Sequence, residues 1–489
     1  MPAHVPPFVV LGGGPAGLAA AWHLATHGEP VVVLEGESLV GGLCATHERD
    51  GYRFDLGGHR FVSSDTALTA WLERLLGDDL LTAQRKSVVL HDGRAFQYPL
   101  EAKDLLENLG VRENARALAG YARARLHHAR TRALARALSR EPPPELTFED
   151  WVVARFGRPL FDTFFGPYTE KLWGIPPHRI SADWAAERIS LLHLGDAALR
   201  LVHLPRPPVR TYAREYRYPR LGMGQLYDAV ARDITQHGGE VRTRAKVTGL
   251  DVERGRVVAV WFRSPRGEER IPARAVISTI PLPDLVSHLT RGGPKDAALP
   301  SPGGLRFRSL VFLNLMLARE TIGDSTWMYV ASGRLRISRI QQPNKRSLAM
   351  APPGKTSVML EIPCDRGDSL WNATVPELRA LADRELSELG LDIGEVVGAF
   401  SVKVEHGYPI YHVGYEAQRQ ALLREVDRFE NVRTAGRQGL FRYVFMDAAM
   451  QMGTLAAEQL RTGDAHGEGS RIDAIGRSQQ VLESTAITA

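Results

Sequence analysis

Cysteine is nearly absent: the 489 residues contain two, Cys44 and Cys364. They stand far apart in sequence and match no metal-ligand or redox spacing, which excludes a disulfide framework and any cysteine-based metal or redox motif. A reducing compartment fits such a chain, so a cytoplasmic location is expected. Long apolar runs are missing too. None approaches the roughly 18–20 residues that span a bilayer. The longest, Leu310 to Leu317, is interrupted by Asn314 and reads as a buried strand. Met1 to Pro7 lacks the basic and then apolar regions of a signal peptide, which again points to the cytoplasm. No large excess of either charge exists: 61 Lys and Arg against 56 Asp and Glu give a formal +5. That balance implies no nucleic-acid partner; it suits a small anionic ligand. No internal repeat or low-complexity tract is found, and no metal-ligating cluster.

What is present reads as α/β. A chain of this length exceeds what one core serves, so at least two packed units are expected. Phe8 to Leu11 is a short apolar strand, Ala16 to His27 an Ala-rich helix and Val31 to Leu34 a second strand. Glu101 to Arg140 is rich in Leu, Ala and Arg and reads as a pair of helices ending at Pro142, Pro143 and Pro144. Its basic part, Arg112 to Arg140, is read as the solvated outer face of a helical subdomain; a membrane or nucleic-acid patch is the alternative. Thr147 looks like the N-cap of a further helix, and helical text continues to about Leu201. From Tyr216 strands return, with a hairpin turning at Arg254-Gly255. Pro376 to Leu389 and Tyr415 to Arg428 read as helices. The resulting division is a discontinuous Rossmann-like domain (residues 1–85, 201–285 and 429–462), a helical insertion (101–200) and a mainly antiparallel substrate-domain sheet (86–100 and 286–428). A polar tail follows (463–489).

The first sixty residues carry the strongest signal. Gly12, Gly14 and Gly17 form G-x-G-x-x-G between a strand and a helix, continued by Pro15 and Ala16. The first glycine permits the turn, the second lets the backbone approach a pyrophosphate, and the third lets helix and strand pack. The helix N-terminus then faces the phosphates. Glu35 ends the next strand, where a carboxylate accepts from ribose hydroxyls. Two features favour FAD over NAD. Gly41-Gly42-Leu43 follows closely, where paired glycines let the chain pass against the dinucleotide. Thr434-Ala435-Gly436-Arg437 precedes a helix from about Asp447 and would close over the flavin. No second G-x-G-x-x-G lies between strand and helix, so a dedicated NAD(P)H domain is not expected; NAD(P)H remains as a transient reductant.

Several islands carry a family resemblance. Phe54-Asp55-Leu56-Gly57-Gly58-His59-Arg60-Phe61 resembles the Gly-Gly-His loop beside the flavin in amine-oxidase-like flavoproteins. Phe165-Gly166-Pro167-Tyr168-Thr169-Glu170-Lys171-Leu172-Trp173 resembles the Pro-Tyr-x-x-Lys-x-Trp segment of the UDP-galactopyranose mutase branch. Trp184-Ala185-Ala186-Glu187-Arg188, His406-Gly407-Tyr408-Pro409, and Gly436-Arg437 through Tyr443 to Asp447 are similar to mutase segments as well. The stretch from Phe441 to Asp447 is longer than in the prokaryotic mutases, and the aromatic residues that bind uridine have no assigned counterpart. The resemblance implies a glutathione-reductase-like FAD fold. It implies cofactor contacts from Gly57, Gly58, His59, Arg60, Val247, Gly436, Arg437, Tyr443, Met446 and Asp447.

It further implies pyranose–furanose interconversion of a diphosphate-bearing sugar, with the reduced flavin as nucleophile. Arg188 and Arg339 would clamp the diphosphate, Tyr408 and Tyr443 would donate to it, and His59 would sit beside the flavin. Each assignment has an ordinary alternative: an ion-paired surface arginine, a strand arginine, a turn or core tyrosine, a loop-ordering histidine. Trp173 and Trp184 are read as core rather than as sugar platforms. The rival reading is an FAD oxidase, dehydrogenase or desaturase, because the FAD islands serve both.

Overall fold

A computed structural model of the chain describes residues 5–98, 107–137, 147–184, 215–291, 304–463 and 471–475. A five-stranded parallel sheet forms one half. Its order is Val432–Thr434, Ala275–Ser278, Phe8–Leu11, Val31–Leu34, Glu240–Arg242. Its three central strands are uniformly buried, as a parallel sheet covered on both faces requires. The helix Pro15–Thr26 packs against the long helix Met446–Thr462, so the two ends of the chain close on each other. The contact is tight: a Cβ added to Gly453 would lie 1.9 Å from the carbonyl oxygen of Ala16. A three-stranded antiparallel layer, Lys246–Glu253, Arg256–Ser264 and Gly267–Pro272, flanks this unit, and Arg254 and Gly255 take positive φ at its first hairpin as the turn reading expects.

The second half is a seven-stranded sheet in the order Val396–Pro409, Phe307–Leu317, Thr356–Cys364, Arg339–Gln341, Trp327–Val330, Ser87–His91, Arg94–Gln97. All its pairs are antiparallel except Trp327–Val330 with Ser87–His91. Phe307–Leu317 is buried on both faces: Leu310, Phe312 and Met316 turn toward one cluster, while Val311, Leu313, Leu315 and Leu317 join another with the helix Val375–Glu388. Two covered faces explain why this strand reads as an unbroken apolar run. The α/β class with a mainly antiparallel second sheet is as expected.

Two local features go beyond the sequence reading, and the helix pair is described in part. Of the expected helix pair, the described residues show helical Glu107 and Asn108, a break at Leu109 and Gly110, and then the helix Val111–Ala137. Val396–Pro409, which has no distinct reading in the sequence, is a long strand paired along Phe307–Leu317. Phe161–Phe165 is a π-turn, a form that concentrates at functional sites. Arg188, the rest of the segment after Trp184, and most of the tail lie outside the described residues.

Candidate active site

The dinucleotide cradle is built from backbone. Gly12 adopts φ +100°, which an L side chain rarely takes, and a Cβ on Gly17 would sit 1.9 Å from the Gly12 carbonyl oxygen. The helix Pro15–Thr26 has no side-chain cap at Gly14, so its first N–H groups and the positive end of its dipole stay available to an anion. The second glycine loop closes in: a Cβ on Gly42 would stand 3.3 Å from Gly14 Cα. Leu43 continues this loop and lines the cavity beyond. Glu35 is buried and accepts from Gly13 N at 2.7 Å and Glu37 N at 2.8 Å. Burial raises its pKa, and the lone pairs those bonds leave suit ribose hydroxyls. Ala245 N, two residues before Val247, donates to Glu35 O at 2.7 Å; Val247 itself packs on the core cluster that includes Leu250 and Phe262. Apart from the Glu35 carboxylate, the cradle consists of backbone that a side chain would obstruct, and the residues fit FAD.

The Gly-Gly-His loop is anchored by Asp55. Its carboxylate accepts from Thr46 Oγ1 at 2.7 Å, Met223 N at 3.0 Å and Tyr218 Oη at 2.5 Å. Trp327 packs on Gly58, where a Cβ would fall 1.5 Å from the indole. His59 is partly buried, and its buried Nδ1 has no hydrogen-bond partner among the described residues. Burial, with Arg437, Arg346 and Arg339 adding to it, lowers its pKa to about 3. It is a neutral imidazole at physiological pH, suited to a hydrogen bond rather than to proton transfer.

Above that loop lies a cavity of about 320 Å3. It is lined by His59, Arg60, Arg437, Tyr443 and Met446, by Arg339, Tyr408 and Tyr329 of the sheet, by Tyr168 of the helix Gly166–Trp173, and by Phe148, Phe164, Phe165, Leu172 and Trp184. Asp447 is buried in the first turn of the helix Met446–Thr462, beside Met446. Gly436, at φ +81°, begins the turn that carries Arg437. The Arg437 guanidinium lies 4.2 Å from the Tyr443 ring centroid and donates to Val444 O at 2.8 Å.

Sheet register assembles the polar core. Arg339 stands opposite Tyr329 on one side and Glu361 on the other. Arg339 Nη1 lies 3.1 Å from Glu361 Oε1 and donates to Tyr408 Oη at 2.8 Å; its Nε donates to Tyr168 Oη at 3.2 Å. Tyr408 Oη in turn donates to Glu361 Oε1 at 3.0 Å. Burial opposes the Arg339 charge, but Glu361 and the surrounding tyrosines hold its pKa well above the ordinary value. Burial also pushes the Tyr408 phenol well up. The Tyr408 proton is thus committed to Glu361, so this side chain braces Arg339 instead of pointing its donor at a ligand. Tyr443 stacks on Tyr408 at 5.7 Å, and Trp184 meets Tyr443 edge-on at 5.4 Å. Trp173 is core, as read, but Trp184 faces the cavity and belongs to the site.

Sequence reasoning missed Glu361, Tyr329, Arg85 and Trp327. Glu361 left a signal: it is the one charged residue of a nine-residue strand that is buried throughout, and a lone charge there needs a partner. Lys171 also has a structural place. Its ammonium donates to Val330 O, Ser332 O and Ile337 O at 2.7, 2.8 and 2.9 Å, pinning the turn before Arg339.

A family model described as flavin containing amine oxidoreductase matches residues 15–461. The chain belongs to that family, and it is an FAD-dependent enzyme. Its relatives include protoporphyrinogen oxidase 1 of Spinacia oleracea chloroplasts, 24% identical over 78% of this chain and 70% of that one. Phytoene dehydrogenase of Streptomyces griseus is 27% identical over 79% and 80%. Among solved structures, reduced UDP-galactopyranose mutase superposes with a TM-score of 0.79 at 21% identity, covering 96% of this chain and 99% of that one. That likeness is one of fold. No helix among the described residues is long and apolar enough to cross a membrane.

Proposed function

We propose that this flavoenzyme acts on a nucleoside-diphosphate sugar, or a similar anionic sugar, interconverting its pyranose and furanose forms with the flavin reduced. The observation that carries the reading is Arg339, enclosed on the cavity wall, braced by Glu361 and Tyr408, and faced by Tyr168 and Tyr443. A reduced flavin bound below would supply an electron-rich centre for displacing a diphosphate from the anomeric carbon. Arg339 would hold the leaving diphosphate with charge-assisted bonds; the resemblance alone assigns the second guanidinium to Arg188, which lies outside the described residues. Tyr168 and Tyr443 orient the phosphates and the sugar. Neutral His59 bonds to the cofactor without adding charge beside it. Phe148, Phe164, Phe165 and Trp184 exclude water, which strengthens each electrostatic contact.

A second reading has its own support. The relatives named for oxidase and dehydrogenase activity align over most of the chain, and the cavity lining includes the apolar Val89, Phe148, Phe164 and Leu172. Net oxidation of a ring-bearing metabolite would use the same cofactor site. Incubating the anaerobically dithionite-reduced enzyme with a panel of nucleotide sugars separates the two. Furanose product without consumption of reductant is the expected result. No product from any sugar, with bleaching of the oxidised flavin by a porphyrinogen or polyene, transfers the enzyme to the oxidases.

A further inference from the structure

Arg346 carries a charge into the interior, its side chain only 2% exposed. The turn Pro343–Lys345 delivers it from the strand Arg339–Gln341, and Arg346 N donates to Pro343 O at 3.0 Å. The guanidinium touches three parts of the flavin site. Its Nη2 donates to Oε1 of Gln341, two residues beyond Arg339 on the same strand. Its Nη1 lies 3.8 Å from Oδ2 of Asp55, the carboxylate that anchors the Gly-Gly-His loop. Its Cζ stands 5.9 Å from the ring centroid of Trp327, the indole packed on Gly58 of that loop. Arg339 meets the same indole, with its Cζ at 5.7 Å. Trp327 thus joins the guanidinium of the cavity lining to a second one beside the loop. Burial opposes the Arg346 charge, but Tyr218, Tyr216 and Asp55 hold its pKa above the ordinary value, so it stays cationic. The neighbouring charges that push the His59 pKa down are those of Arg437, Arg346 and Arg339. Asp55 already accepts from Thr46 Oγ1, Met223 N and Tyr218 Oη, so anchoring the loop does not require a charged partner as well. Desolvating a guanidinium is costly, and the charge has another use.

We infer that Arg346 is a positioning residue for the cofactor: it holds the Gly-Gly-His loop through Asp55 and Trp327, and its buried charge favours the reduced, negatively charged flavin beside that loop. Reduction brings two electrons and one proton to the bound FAD, and a cation in surroundings of low dielectric offsets the negative charge that remains. Neutral His59 cannot supply that charge, and the charge of Arg339 is shared with Glu361. The proposed sugar chemistry needs the flavin reduced, and the role rests on that reading for its purpose alone. The flavin potential is a property of the sugar-free holoenzyme, so the two fail separately.

The test is a redox titration of the FAD-loaded full chain with dithionite against a reference dye, followed by flavin absorbance without sugar. Arg346→Met should shift the equilibrium toward oxidised flavin by about tenfold or more, a fall of about 30 mV in midpoint potential for a two-electron couple. Arg346→Lys should restore most of that shift, because it returns the charge. Gln341→Glu keeps the side-chain shape and the contact with Arg346 while cancelling its charge, and the same fall is expected. Wild-type flavin should take up one proton per two electrons near neutral pH, read from the slope of potential against pH. A merely structural Arg346 predicts lower stability and weaker FAD retention in Arg346→Met, with the potential unchanged. Should Arg346→Met fail to hold FAD, Gln341→Glu and the wild-type slope decide. A wild-type potential in Arg346→Met or Gln341→Glu, no recovery in Arg346→Lys, or uptake of two protons by the wild type overturns the inference.

Discussion

Glu361 shows how one residue sets the character of the site. It is fully buried and serves both Arg339 and Tyr408. Replacing one member of a buried ion pair leaves the other charge uncompensated, at about 3–5 kcal/mol. Glu361→Gln should therefore lower unfolding stability by about that amount in urea titrations, and Arg339→Met combined with it should recover part of the loss. His59 gives a pH prediction. Its pKa falls from 6.5 to about 3 on folding, chiefly through burial. Between those values the unfolded chain binds a proton that the folded chain refuses. Stability is intact above pH 6.5 and is lost as pH falls toward 3. His59→Asn should flatten that part of a melting-temperature profile. Resemblance flagged Arg339, and Glu361 stood out in its apolar run, but their partnership was illegible because cross-strand register is not written in either strand alone.

At the scale of elements, the strand–helix–strand opening was readable because glycine spacing, apolar runs and an acidic strand end all agree. The strand Val396–Pro409 was missed although Phe400, Val402 and Val404 alternate with Ser401, Lys403 and Glu405; its pairing with Phe307–Leu317 is what the local sequence does not carry. The crossing of the first and last helices depends on Gly453. Gly453→Ala should cost about 1–3 kcal/mol by overpacking and loosen flavin retention, measured as flavin lost on gel filtration. A second junction lies at Asp473, which bridges the buried Arg419 and Arg442. Hydrogen bonds from both arginines hold its carboxyl down at about 2, against the desolvation of burial. Arg442 adjoins Tyr443, so Asp473→Asn should destabilise the fold and also raise substrate KM. Arg442→Gln in the same chain should add little further loss, because both variants break one network.

For the whole molecule, the cofactor is part of the architecture. Gly12 and Glu35 from the start of the chain and Arg437 and Met446 near its end surround the flavin locus. Removing FAD should lower the melting temperature, and restoring it at about 100 times its dissociation constant should return about 2.7 kcal/mol. The sequence made that enclosure legible through its glycine loops. It did not reveal the row of Tyr329, Arg339, Glu361 and Tyr408, which exists only once their four strands, with Phe307–Leu317 between those of Tyr408 and Glu361, join one sheet. That row is the basis for the proposed anionic substrate. Its most direct test is titration of a nucleoside diphosphate into the reduced enzyme, followed by flavin absorbance, for wild type and Arg339→Ala. Saturable binding that weakens about 100-fold in the variant is predicted. Equal binding by both proteins, or none by either, would contradict the account.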